Sequence, residues 1–220
     1  VSGSRWAPGT FYLDYRQEDI VGSSDVKWPR EFSRCHQLLQ VAVAYDMTGD
    51  DRYADFVLAN MDDWIDENPL MYSINWGCTM DVAIRAVNWI WALALLGDAK
   101  GLTPERRQKI VASLYEHGWF VYHNPEKMGR YNHNHYLADL SGQVQLGLLF
   151  KDSDEGRKWL EEGTRSLYEE IRQQILPSGM SYERSVHYDR LVLELILVPV
   201  LLLHKNGIEV PQDIYLANNQ

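Results

Sequence analysis

The stretch Tyr131-Asn132-His133-Asn134-His135-Tyr136-Leu137-Ala138-Asp139 gathers two asparagines and two histidines where a loop gives way to an apolar helix. Pro125 and Gly129 punctuate the residues before it, and no apolar period survives there. Downstream, Leu137, Leu140, Val144 and Leu148 recur at helical spacing and must face a core. One reading makes Asn132 or Asn134 an N-cap whose side-chain oxygen takes an orphan backbone N–H. The other makes this helix start an anion site. Its free N–H groups and dipole favour negative charge, and an asparagine with the two histidines, His133 and His135, adds donors.

Three other predicted helices are apolar apart from one narrow polar line. Asp81, Arg85 and Asn88 are spaced by four and three amid Val82, Ile84, Val87, Trp89, Ile90 and Trp91. Arg30, Arg34 and Gln37 repeat the spacing, as do His187, Arg190 and Glu194 among Leu191, Val192, Leu195 and Ile196. Buried charge is costly unless paired. The lines are therefore either internal ion pairs, Asp81–Arg85 and Arg190–Glu194, or the wall of a wet interior. Their repetition on three helices favours a site.

The elements that must carry these groups are all helical. The first is predicted from Trp28 to Thr48, with Pro29 in the first turn and Gly49 at the end. The second runs over 51–67, stopped by Asn68-Pro69, and the third over 79–96. The fourth opens on Thr103-Pro104 and reaches His123. The fifth covers 134–150, where Gly142 and Gly147 demand support from packing. Asp152 or Ser153 caps a sixth to about Ile175, and the seventh spans 185–205. Residues 1–27 are expected to wrap the outside. No strand alternation of useful length occurs, so the class is all-α. The second, fourth and sixth helices read as outer, with one apolar face. The first, third, fifth and seventh are apolar nearly all round. Stacked antiparallel helical hairpins in a two-layered ring or arc follow, around a central space.

Composition narrows the partners. The formal charge of −10, without a Lys/Arg-rich run, argues against nucleic acid. It leaves a polyanionic ligand open, since distant surface charges are damped over about 10 Å at physiological salt. Eight Trp and thirteen Tyr supply core packing or platforms for sugar rings. No apolar run of transmembrane length is free of charge, so no membrane partner is expected; Leu191 to Leu203 is broken by Glu194 and Pro199. Cys35 and Cys78 read as free thiols, one disulfide remaining open. No cofactor is expected. Val1 follows no Met and the residues before Gln220 form no clear cap, so the chain reads as part of a longer protein.

Asn134-His135 followed by Glu183-Arg184-Ser185-Val186-His187-Tyr188 resembles the helical-domain motifs of heparinase II/III-like and alginate-lyase-like polysaccharide lyases. Gly49-Asp50-Asp51-Arg52-Tyr53-Ala54 adds to the likeness, as does Ile74-Asn75-Trp76 before Met80-Asp81-Val82-Ala83-Ile84-Arg85-Ala86. It runs over about residues 25–204. The resemblance implies an incomplete α/α toroid, with residues 1–220 part of that one domain. It also implies later toroid helices and a β-sandwich beyond Gln220, and a periplasmic or secreted protein. The implied substrate is an acidic, uronate-containing polysaccharide or oligosaccharide cleaved by β-elimination. Asn134 and His135 would neutralise the uronate carboxylate as the α-proton leaves. Tyr188 would be the Brønsted acid to the glycosidic oxygen, and in syn eliminations also the base. By helix geometry alone, Arg85, His187 and Arg190 are candidate cations near that tyrosine; with Arg30, Arg34, Asn88, Trp76 and Glu183 they are the candidate substrate contacts. The sequence departs from the family pattern at Asp189, where a histidine often follows the tyrosine, and at Asp139, where a glutamate is usual. A further catalytic histidine would come from the sandwich.

Three rivals stand beside this. A toroidal glycoside hydrolase needs two acids, for which Asp81, Glu183 and Asp189 are nominees. A metal site from His133, His135 and His187 lacks further ligand-like spacing, and no metal is expected. A helical-repeat scaffold lacks a fixed period.

Overall fold

The computed structural model describes residues 9–15, 27–129 and 132–217. Among them the regular elements are helical: α1 (Lys27–Phe32), α2 (His36–Thr48), α3 (Asp51–Glu67), a 3-10 turn (Ile74–Trp76), α4 (Thr79–Leu96), α5 (Pro104–His123), α6 (Asn134–Leu149), α7 (Asp154–Gln174), α8 (Val186–Lys205) and α9 (Gln212–Ala217). Of the opening stretch only residues 9–15 and Lys27 are described, and Arg130 and Tyr131 also lie outside the described residues. Residues 9–15 dock on the loop after α3: the Tyr12 N–H donates to the Met71 carbonyl at 2.9 Å, and Phe11 meets Tyr72 edge-on.

Local chemistry sets the helix starts. The Asp50 carboxylate accepts the Arg52 N–H at 3.0 Å, Thr103 Oγ1 accepts that of Arg106, and Ser153 Oγ accepts that of Gly156. Three expectations are corrected. The single helix over 28–48 is broken in two, because Cys35 adopts a left-handed backbone with φ +60°. The break turns Ser33 and Arg34 toward α4, so Arg30, Arg34 and Gln37 do not share one helical face. Neither Asn132 nor Asn134 caps α6 through its oxygen; His133 holds the cap position without a side-chain bond. Finally, α8 is not buried all round, since Val186, Leu193, Leu197 and Leu201 are exposed along one face.

Contacts divide the chain into two compact units, Val1–His117 and Gly118–Gln220. In the first, α2 packs on α3 and α4. Its core holds Trp64, Trp76, Trp89 and His117, with ring centroids 4.9–5.8 Å apart. The Arg106 guanidinium donates to Asp62 at 2.7 Å and ties the first turns of α5 to α3. In the second, α6 packs against both α7 and α8, and every residue from Tyr136 to Gly147 is buried. Gly147 makes this possible: a Cβ there would lie 2.6 Å from the Leu160 backbone nitrogen. A Cβ at Gly118 would likewise meet the Trp159 ring at 2.4 Å. These glycines cost helix propensity and allow close approach, as the apolar run around Gly147 requires. By length and hydropathy α4 could cross a membrane, but 67% of it is buried inside the protein, as in a core helix.

Candidate active site

In the second unit two distant segments meet at the start of α6. The backbone N–H of Asn134 donates to Glu183 Oε1 at 2.9 Å, and its Nδ2 lies 3.0 Å from each Glu183 oxygen. The helix start therefore does hold an anion, and in this chain that anion is Glu183. Next to it, His135 Nδ1 lies 2.8 Å from Glu126 Oε2, and the His135 side chain is 40% exposed. Asp139, one turn along α6, accepts the Glu126 N–H at 2.7 Å. Asp139 thus fixes the loop residue that engages His135. His133 stands edge-on to His135 with centroids 5.1 Å apart.

The segment carrying Glu183 is a tight, well-bonded turn. Leu176 N–H donates to the Met180 carbonyl, Gly179 takes φ +81°, and Ile175 and Ser181 form a β-bridge. The Tyr182 N–H donates to the Gln174 carbonyl at 2.8 Å, and the Ser181 N–H to Asp189 Oδ1 at 2.8 Å. The Tyr182 hydroxyl donates to the Asn132 carbonyl at 2.5 Å. Burial pushes the Tyr182 phenol up, and the charges of Glu183 and Glu170 push the same way, which keeps it a donor. On the facing loop, Asn132 Nδ2 donates to the buried Glu170 at 2.7 Å, and Gln174 Nε2 donates to the same carboxylate. The first turn of α8 then presents His187, Tyr188 and Arg190, all exposed, with Tyr188 at 47%. Arg190 and Asp189 line a cavity of ≈ 270 Å³ with Ile175, Met180, Val192 and Ile196.

The first-unit candidates are placed otherwise. Arg85 is fully buried, its guanidinium carbon 4.0 Å from the Trp64 ring centre. It donates to His117 Nε2 at 2.9 Å, to the Ser33 hydroxyl at 2.8 Å and to the Ser33 and Asn75 carbonyls. Burial lowers it to about 10, so it stays charged at neutral pH. The same burial, with Arg85 beside it, holds His117 well below the usual histidine range. His117 is thus neutral: Nε2 accepts from Arg85, and Nδ1 carries the hydrogen given to the Ser113 carbonyl at 2.7 Å. Asp81 pairs with Arg34 at 2.6 Å instead of with Arg85. Asn88 donates to the Arg34 carbonyl at 2.8 Å, and Trp76, 1% exposed, donates to the Asn68 carbonyl. The wet-interior expectation is corrected for Arg85 and Trp76, whose polar atoms are used by the protein around them; Asn88 is buried, its amide nitrogen spent on the Arg34 carbonyl. Arg30 is half-buried, its guanidinium against Gly77. The Arg190–Glu194 pair of the ion-pair reading does not form; both side chains are exposed.

Sequence reasoning missed Glu126, Glu170 and the supporting part of Asn132. Glu126 and Asn132 lie in a loop where no period operates. The one available signal was Asp139, four residues after His135 on the same helical face.

Similarity to known proteins bears on the fold and the family. The chain is 24% identical over 200 residues to the heparin-sulfate lyase of Pedobacter heparinus, covering 86% of this chain and 29% of that protein. It is 23% identical over 166 residues to the heparin-sulfate lyase of Bacteroides thetaiotaomicron, covering 74% and 23%. The chain thus spans less than a third of the length of these relatives. Among solved structures, heparinase III superposes with a TM-score of 0.76 at 20% identity, over 93% of this chain and 31% of that one. The heparan sulfate lyase of Pedobacter heparinus gives 0.74 at 20% identity, over 91% and 32%. This likeness shows the fold, all-α and of the incomplete α/α-toroid type built from antiparallel helical hairpins. Residues 12–217 match the sequence profile of the heparinase II/III N-terminus, and the chain belongs to that family.

Proposed function

We propose that the chain is the helical part of a polysaccharide lyase that cleaves a uronate-containing acidic polysaccharide by β-elimination. The observation that carries this is the meeting of 132–135 with 181–188 at the start of α6, through Asn134–Glu183 and Tyr182–Asn132. That junction is a helix N-terminus with an asparagine amide and a half-exposed histidine, beside a turn that leads into the exposed Tyr188. Asn134 and His135 neutralise the uronate carboxylate, which makes the hydrogen on the adjacent ring carbon acidic enough to leave. That proton passes to a base, the ionised Tyr188 in a syn elimination, and the electron pair of the broken C–H bond forms the new ring double bond. The glycosidic C–O bond breaks with it, and the departing oxygen takes a proton from Tyr188. The electron-rich phenolate of a basic Tyr188 would need cations, and His187 and Arg190 stand on the same turn of α8.

The names of the relatives make a heparan-type glycosaminoglycan the first substrate to try, with alginate the second. On this reading later toroid helices and a β-sandwich complete the protein, which acts in the periplasm or outside the cell. The hydrolase reading finds less support. Asp81 is buried in its pair with Arg34, Asp189 accepts the Ser181 N–H, and Glu183 holds Asn134. Incubation of the whole protein with heparan sulfate separates the two. A lyase yields an unsaturated uronate absorbing at the ultraviolet edge; a hydrolase yields new reducing ends without that absorbance.

A further inference from the structure

Glu183 occupies donors that the lyase reading assigns to substrate, so its role cannot be a simple substrate contact. We infer that Glu183 is a positioning residue, which fixes the Asn134 amide with its nitrogen, and not its oxygen, toward the reacting carboxylate. The inference rests on the lyase reading of the same site.

First, the two Glu183 oxygens lie equally far, 3.0 Å, from Asn134 Nδ2. Two oxygens of one carboxylate subtend a narrow angle at that nitrogen, whereas its two hydrogens diverge widely. They therefore share one hydrogen and leave the other available. Second, a carboxylate only accepts, so it repels the amide oxygen and allows one of the two flip states. The backbone N–H of Asn134 donates to the same carboxylate and pins it in place. Third, Glu183 cannot readily swing away to meet a ligand. Its flanks are tied down: Tyr182 to the Asn132 carbonyl and the Gln174 carbonyl, Ser181 to Asp189, and Arg184 N–H to the Ser181 carbonyl with φ +52°. Without that acceptor, the flip state with the amide oxygen toward the uronate carboxylate is no longer excluded, and a like partial charge there slows elimination.

The test uses Glu183→Ala and the isosteric Glu183→Gln in the whole protein, labelled with ¹⁵N on asparagine. The Asn134 side-chain amide resonance, identified by its loss in Asn134→Ala, should move in both variants, most in Glu183→Ala. With heparan sulfate, kcat should fall on the order of 10- to 100-fold in Glu183→Ala and less in Glu183→Gln, with KM little changed. A raised KM with intact kcat, or an unmoved amide resonance in correctly folded variants, overturns the inference. If the wild-type protein eliminates no uronate polymer, the lyase reading fails by itself, and the amide resonance still decides whether Glu183 orients Asn134.

Discussion

Replacing Arg85 by alanine separates a structural cation from a substrate-binding one, because the two roles predict opposite results. The side chain has no exposed surface and lies over Trp64. Truncation opens a cavity, which for large-to-small changes costs about 2–5 kcal/mol. It also strands the Asn75 carbonyl and His117 Nε2, at about 1–3 kcal/mol for each that finds no other donor, while the Ser33 hydroxyl keeps the Trp64 indole N–H and the Ser33 carbonyl the Cys35 thiol. Against this stands the removal of a desolvated charge, worth several kcal/mol in the other direction. Asp81 is not orphaned, since its partner is Arg34. The net expectation is a loss of about 3–5 kcal/mol, a large part of the ~5–15 kcal/mol that a domain has. For a chain of this size that is a drop in Tm on the order of 10 °C, read by circular dichroism. Arg85→Met keeps the volume and should lose less. A Tm within about 1 °C of wild type, with weakened polysaccharide binding, would refute the structural assignment.

Tyr188→Phe should abolish elimination in the whole protein while leaving polysaccharide binding largely intact; near-normal turnover would reject the acid role. His117 is neutral in the folded state and ordinary when unfolded, so the unfolded chain binds more protons below the usual histidine pKa of about 6.5. Stability is then fully present above that pH and falls as pH drops below it, by about 1.4 kcal/mol per pH unit until the depressed native value is passed. Urea unfolding between pH 4 and 7 should show this slope, and His117→Gln should flatten it. Gly147→Ala forces a methyl to 2.6 Å from the Leu160 backbone and should cost about 1–3 kcal/mol by denaturant unfolding, where helix propensity alone would give a gain of about 1 kcal/mol.

Much of the fold was legible because the helices announce themselves. Pro104, Ser153 and Gly49 mark ends that local chemistry imposes, and the apolar periods of α3, α4 and α6 required a core on at least one side. The break between α1 and α2 was not legible. Cys35 in a left-handed conformation is unusual for a non-glycine residue, and long-range bonds of Ser33 and Arg34 hold it there. The polar lines misled in part for a related reason. Spacing reveals that Asp81, Arg85 and Asn88 share a face, but not whether that face meets water or indole rings. At the start of α6 the sequence suggested an anion, and the anion proved internal. Glu183 lies 49 residues away, a pairing that no local pattern encodes.

Central to the chemistry is whether Asn134 lowers the barrier to removing a proton beside a carboxylate. The measurement is the rate of unsaturated-product formation from heparan sulfate by the whole protein and by Asn134→Ala, with binding measured separately. A fall in kcat on the order of 100-fold or more at nearly unchanged affinity is the predicted result. An unchanged kcat with affinity alone reduced would contradict it.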